Sequence, residues 1–214
     1  MIMPALRRHT ANYHFRAERA VNLKASGSSL GSYRKLIRRF YGFYAPLESA
    51  LEHHTDKAVE LLLSGRRKTR VLQADLRALG VMTPDLAAIE RCKTLPRIET
   101  VAHVVGCLYV LEGATLGGRV AAPALEKRLG ITAGNGSAFF ASYADYVDAM
   151  WSSFGRAAEY YCDTAESRND AIDTAMATFE CFIRWFRSER MYPVPTAARF
   201  DSGLLSAVSP EDAT

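Results

Sequence analysis

Apolar residues recur at intervals of three and four along most of this chain, which is the spacing that lines one face of an α-helix. The clearest stripe comprises Leu36, Ile37, Phe40, Tyr41, Tyr44, Leu47 and Leu51. No segment alternates apolar and polar residues for a useful length, as a half-buried strand would, and no internal repeat is found. The pattern predicts an all-α fold built as a multi-helix bundle.

Prolines and glycines divide this pattern into separate helices. Pro46 lies within the stripe from Leu36 to Leu51 and is expected to kink that helix. Gly80 is expected to end a later helix. The predicted helical segments are residues 4–24, 33–51, 56–63, 71–79, 98–129 and 139–162, followed by a last stripe over 172–186.

Length and composition favour one domain. The chain has 214 residues, of which 49% are hydrophobic, enough for a single core. We expect a helical domain over residues 1–190 and an irregular tail over 191–214. No apolar run approaches the roughly 18 to 20 residues that cross a bilayer, and no secretory signal is evident. We therefore expect a cytoplasmic protein without a membrane partner.

The four cysteines show no CxxC spacing, so neither a disulfide framework nor a zinc site is indicated. Basic residues concentrate in the first third of the chain, although the net charge is only +4. Such clusters attract acidic partners such as a nucleic acid, a carboxylate ligand or an acidic redox protein, or they form solvated helix faces. No nucleic-acid-binding motif accompanies them, so no nucleic-acid partner is expected. The residues are Arg7, Arg8, Arg16, Arg19, Arg34, Lys35, Arg38, Arg39, Arg66, Arg67, Lys68 and Arg70.

Three glycines, Gly113, Gly117 and Gly118, fall in the middle of the longest predicted helix. Each costs about 1 kcal/mol relative to alanine in a helix interior, so their presence requires a reason. Gly113 and Gly117 share a face, with Gly118 beside them. Either another helix packs closely there, or the bare backbone lies against a flat ligand.

The first predicted helix carries a histidine, His14, with Glu18 one turn later and Arg7 two turns earlier on the same side. A lone histidine on such a face is either a rim residue or a ligand. Glu18 favours the ligand interpretation, because a carboxylate on the second ring nitrogen orients a metal-binding imidazole. One strong histidine suits haem better than zinc, which needs three or four protein ligands. Arg7 could then pair with a propionate.

Two motifs resemble the haem oxygenases, particularly the bacterial ones that supply biliverdin to bacteriophytochromes. The run LRRHTANYHFRAE (residues 6–18) is similar to the proximal helix of that family, and YVLEGATLGGRV (109–120) is similar to its distal helix. Weaker similarity, in YGFYAPLE, LQADLRALG and MWSSF, extends the match to about Trp185. The resemblance implies haem held between a proximal helix and a glycine-kinked distal helix.

Carried to this chain, the resemblance implies His14 as the iron ligand, Glu18 as its partner, and Arg7 as a propionate contact. The distal face would be formed by Gly113, Gly117 and Gly118, with Ala114 and Thr115 beside haem. Many family members have an aspartate after the first distal glycine, where this chain has Ala114. Thr115 is the nearest hydroxyl.

The activity implied is cleavage of haem by O2 to biliverdin, ferrous iron and carbon monoxide. Electrons would come from outside, because the chain has no GxGxxG motif. The basic first third suits an acidic donor such as a ferredoxin, and a bacteriophytochrome is a candidate acceptor of biliverdin. A haem carrier or sensor is the alternative favoured by Ala114, and a haem-free helical interaction protein is a third.

Overall fold

The structure is a computed structural model, which describes residues 1–54 and 56–188. Over these residues the chain forms nine α-helices and a single 3-10 turn at Ala144–Tyr146, with no strand, so the all-α prediction is confirmed. The expected boundary at residue 190 and the tail over 191–214 lie outside the described residues. The helices are α1 (Ile2–Val21), α2 (Leu23–Ser26), α3 (Leu30–Glu52), α4 (Lys57–Leu63), α5 (Thr69–Ala78), α6 (Thr83–Ala87), α7 (Val101–Leu129), α8 (Val147–Tyr161) and α9 (Ala165–Ser188).

The first predicted helix is divided into α1 and α2 at Asn22. This residue adopts the left-handed conformation, with φ of 44°, and its backbone N–H donates to the carbonyl of Glu18. Its side chain accepts a hydrogen bond from the N–H of Ala25, in the first turn of α2. Asparagine tolerates this conformation and caps helices well, so it ends one helix and starts the next.

Helix α3 continues through Pro46, where the sequence predicted a kink. Proline has no N–H to donate, so the carbonyl of Gly42, four residues earlier, loses its partner inside the helix. That carbonyl accepts a hydrogen bond of 2.8 Å from the N–H of Cys92 instead. A Cβ on Gly42 would collide with the backbone of Glu90 and the ring of Trp185, so the glycine is what lets this segment approach.

Helix α7 begins at Val101, three residues later than predicted, because Thr100 caps it. The Thr100 hydroxyl accepts from the N–H of His103, and the His103 ring accepts from the N–H of Thr100, which gives this histidine a structural role. The helix runs on through the three glycines to Gly130, whose left-handed backbone ends it.

Helix α7 is the central element of the core. It packs against α8 and α9, and Gly106 lets it approach the backbone of Ala171 on α9 closely. Contrary to the expectation from sequence, α7 is long and apolar enough to span a membrane by length and composition, but 61% of the relevant window is buried within the fold. A buried core helix passes the same test. The four cysteines are buried free thiols.

The segment before α8 is not the helix that the sequence predicted from Phe139. The carboxylate of Asp75 accepts hydrogen bonds of 2.8 Å from the backbone N–H groups of Ala138 and Phe139. These bonds fix a series of turns, so α8 starts only at Val147. The turns place Phe140 against α7, where it meets one of the three glycines.

Candidate active site

Helix α7 contacts the first two helices at two separate points, one on α1 and one on α2. Near the start of the pair, the hydroxyl of Thr10 lies 3.4 Å from that of Tyr109. Beyond the other end of α1, the guanidinium of Arg128 donates to the carbonyl of Lys24 on α2, at 3.1 Å. Thr10 precedes Lys24 and Tyr109 precedes Arg128, so α7 runs in the same direction as the chain from α1 into α2. We call the space between α1 and α7, between these two contacts, the gap.

His14 and Gly113 lie on the two helices that border this gap. His14 lies one helical turn after Thr10, and Gly113 lies one turn after Tyr109, so each shares the face that makes the first contact. A Cβ built on Gly113 or on Gly117 would meet no atom of another element within 4 Å. The absence of side chains here therefore leaves open space rather than serving helix packing.

The His14 ring is held by two neighbours. Its Nδ1 atom lies 3.2 Å from a carboxylate oxygen of Glu18, and the ring sits edge-on to that of Phe179 on α9, with centroids 6.0 Å apart. The side chain is 53% exposed, which fits a residue on the wall of an open gap. With Nδ1 facing Glu18, Nε2 is the nitrogen available to a metal.

The structure separates the three glycines that the sequence grouped together. A Cβ on Gly118 would collide with the carbonyl of Phe140, so close packing accounts for this glycine. Thr115 also departs from the expectation: it is buried, and its hydroxyl donates to the carbonyl of Glu112 at 2.7 Å instead of facing the gap. Ala114 is exposed, as is Arg7 on α1.

These residues fit a flat metal-bearing group. Gly113 and Gly117 provide a wall without side chains, and His14 provides a single oriented nitrogen. In the described part of the chain, no group of three histidine, cysteine or acidic side chains converges to hold a bare ion. Haem brings its own in-plane nitrogens and needs only an axial ligand from the protein.

Comparison with known proteins establishes the family. The family model described as heme oxygenase matches residues 2–188. This chain belongs to the haem oxygenase family. It is also similar to a heme oxygenase of Xanthomonas campestris pv. campestris (strain 8004), with 36% identity over 157 residues that cover 71% of this chain and 86% of the relative. As a haem oxygenase, the chain is an oxidoreductase that binds haem and degrades it to biliverdin.

A buried group of charged and polar side chains adjoins Gly113 and Gly117, which we call the glycine wall. We call Glu112, Arg66, Tyr143 and Lys68 the Glu112 cluster. Arg66 donates to Glu112 at 2.7 Å and the Tyr143 hydroxyl donates to it at 2.8 Å. The Lys68 ammonium lies 3.3 Å from the centre of the Tyr143 ring. Sequence reasoning missed this cluster, although Glu112 is the one charged residue between positions 104 and 118, and an acid in an apolar run requires a buried partner.

Burial controls the protonation of this region. It lowers the pKa of Lys68 to about 8, against the opposing influence of the Glu112 and Glu48 carboxylates. Burial also raises the pKa of Tyr143, and the negative charge of Glu112 adds to that effect. The pKa of Glu48 is raised by burial too, although its carboxylate accepts hydrogen bonds from the backbone N–H groups of Lys68 and Thr69.

The basic first third of the chain is thus only partly a surface feature. Arg66 and Lys68 are buried, and so is Arg39, whose guanidinium lies 3.6 Å from the centre of the Trp185 ring. Arg7 and Arg19 on α1 are exposed. Any acidic partner therefore meets a smaller positive patch than the sequence suggests.

Proposed function

We propose that this haem oxygenase holds haem in the gap between α1 and α7, with His14 as the iron ligand and Gly113 and Gly117 as the opposite wall. The observation that carries the proposal is the pair of contacts at Thr10 and Lys24, which bracket a gap with an oriented imidazole on one side and side-chain-free backbone on the other.

Each wall has a distinct task. Glu18 holds Nδ1 of His14, which fixes the tautomer and raises the basicity of Nε2. Gly113 and Gly117 let the α7 backbone lie against the flat face and exclude water from it. When bound, haem supplies the redox chemistry of its iron, which activates O2 against the ring itself. Arg7, exposed on the α1 face two turns before His14, is proposed as a propionate contact.

Proton handling in this gap differs from that of relatives with an aspartate at the position of Ala114. Ala114 has no proton to give, and the Thr115 hydroxyl is engaged with the carbonyl of Glu112. We propose that the backbone of the glycine wall, together with water, orders the oxygen side of the site. We therefore keep Ala114 as a residue beside haem, as the resemblance implies. Gly118 and Thr115 contribute through packing instead.

We also propose an acidic electron donor of the ferredoxin class, and a bacteriophytochrome that accepts the biliverdin in the cytoplasm. The exposed arginines Arg7, Arg8 and Arg19 on α1 support the donor. The similarity of residues 6–18 and 109–120 to the biliverdin-supplying bacterial enzymes supports the acceptor. Turnover with a ferredoxin should fall as ionic strength rises, whereas turnover with ascorbate should not. Equal salt dependence with both reductants would contradict the donor proposal.

The decisive experiment is an anaerobic hemin titration followed by ascorbate and air. We expect a saturable Soret band that disappears as biliverdin absorption grows. A Soret band that persists would instead identify a haem carrier, and no saturable band would identify a protein without a haem site. His14→Ala separates specific ligation from adventitious binding, because it should abolish the histidine-ligated spectrum.

A further inference from the structure

We propose that the buried Glu112 cluster fixes the position of the glycine wall, which makes Glu112, Arg66 and Tyr143 positioning residues for the haem reaction. The inference rests on the proposed haem site between α1 and α7. In this proposal, these residues align the α7 backbone at Gly113 and Gly117. That alignment determines which position of the haem ring is attacked.

Glu112 ties α7 to two other parts of the chain. Its side chain is only 2% exposed, and both of its oxygens are used: one accepts from Arg66 in the connection between α4 and α5, and the other accepts from Tyr143 in the turns before α8. Arg66 also donates to the carbonyl of Met150 on α8, at 3.2 Å. Glu112 immediately precedes Gly113, so these bonds fix the first turn of the wall.

The wall needs such anchors because it lacks its own. Gly113 and Gly117 have no side chains to pack, and glycine gives a helix more backbone freedom than any other residue. The far end of the wall is fixed by Gly118 against the backbone of Phe140. Glu112 before Gly113 and Gly118 after Gly117 therefore hold both ends of a segment whose inner face is bare.

Stability alone does not explain a buried ion pair at this point. Removing two charges from water costs free energy that their attraction often fails to recover, so apolar residues of similar size can be equally stable. Tyr143 also adopts a left-handed backbone, with φ of 65°, which a tyrosine rarely does. Its bond to Glu112 and the contact with Lys68 hold it there. Charges and strain at the end of a ligand wall indicate that geometry is what the cluster maintains.

Tyr143→Phe tests the proposal in the full chain, because it removes one hydroxyl and leaves the ring in place. Tyr33→Phe is the matched control, since the Tyr33 hydroxyl is also buried but donates to the carbonyl of Gly136 and not to the Glu112 cluster. Glu112→Gln is the stronger change. The first readout is the pH at which the ferric hemin complex changes from its acid to its alkaline spectrum. The second is the proportion of biliverdin isomers.

We expect Tyr143→Phe to move the spectral transition by about half a pH unit, a threefold change in that equilibrium, and to alter the isomer proportions. Tyr33→Phe should change neither. If Tyr143→Phe and Glu112→Gln both match the wild type in both readouts, the positioning role is overturned while the haem site stands. If the wild type itself shows no His14-dependent hemin spectrum, the proposed function fails and the positioning role fails with it. Should Glu112→Gln not fold, Tyr143→Phe decides alone.

Discussion

The Nδ1 atom of His14 lies 3.2 Å from a carboxylate oxygen of Glu18, one helical turn further along α1. With Nδ1 facing Glu18, Nε2 is the ring nitrogen left to bind a metal. A histidine held in this way is prepared to bind a metal before the metal arrives.

Replacing His14 by alanine should remove the proposed axial ligand and little else, because the side chain is half exposed. We expect hemin affinity to fall about 100-fold, equal to roughly 2.7 kcal/mol, and added imidazole to restore a histidine-like spectrum. Hemin titration with and without imidazole measures both effects. His9→Ala removes an exposed histidine of the same helix and should bind hemin as the wild type does. Equal losses in both variants would contradict the assignment.

Glu18→Gln should weaken the iron–histidine bond without removing it. A neutral amide raises the basicity of the ring less than a carboxylate does, so the iron–histidine stretching frequency should fall and the reduction potential should rise. Because the pair is exposed to solvent, the loss in hemin affinity should stay below about tenfold. Resonance Raman spectra of the ferrous complex provide the measurement. Glu60→Gln, at an exposed site on α4, is the control, and a spectrum shifted by both would refute the prediction.

The three glycines should respond to alanine in two opposite ways. Gly113→Ala and Gly117→Ala place a methyl group in open space, so the haem-free protein should keep its stability or gain up to about 1 kcal/mol from better helix propensity. Each methyl narrows the gap, and we expect hemin affinity to drop about tenfold. Gly118→Ala should instead cost the haem-free protein about 1 to 3 kcal/mol, because its methyl collides with Phe140.

Thermal unfolding without hemin and hemin titration at a permissive temperature separate the two behaviours. The contrast between Gly117 and Gly118 is the sharpest part, since the two are adjacent in sequence. A loss of stability in Gly117→Ala as large as that in Gly118→Ala would show that the wall is packed rather than open.

The sequence predicted what depends on neighbouring residues along the chain. The pairing of His14 with Glu18 follows from a spacing of one helical turn, and the helix end at Gly80 follows from its left-handed conformation, with φ of 81°. The different role of Gly118 was not predictable, because its partner, Phe140, belongs to a distant turn that Asp75 organises. Spacing shows which residues share a face but not what that face meets.

The distribution of charge was misread for the same reason. Arg66 and Lys68 belong to a run, SGRRKTR, that has the composition of a solvated loop. Their acidic neighbours, Glu112 and Glu48, come from other helices and are invisible to local reasoning. Long-range pairing therefore removed part of the predicted positive surface.

Lys68 should make stability rise with pH in the alkaline range. Burial lowers its folded-state pKa from 10.5 to about 8, so between these values the unfolded chain binds more protons than the folded one. The free energy of unfolding that the neutral Lys68 side chain contributes is therefore fully present above about pH 10.5. It is lost as pH falls from there through about 8. Buried thiols and phenols act in the opposite direction, so the difference between the wild type and Lys68→Met is the informative quantity.

That difference should shift in favour of the wild type by up to about 1.4 kcal/mol for each pH unit above 8. Urea unfolding of the haem-free proteins at a series of pH values from 7 to 10 measures it. Lys57→Met, at an exposed position on α4, should show no such trend. A flat difference for Lys68→Met would mean that this ammonium titrates as it does in water.

The contacts at both ends of the gap also bear on how the cycle finishes. Thr10 contacts Tyr109 and Lys24 contacts Arg128, so α7 is held to α1 at one end of the gap and to α2 at the other. In the proposed site, a flat closed ring would match these walls, whereas a ring that has been cut open and has lost its iron would be neither planar nor tethered to His14. The site would then hold the product less tightly than haem, and departure of the product would need no hinge in the protein.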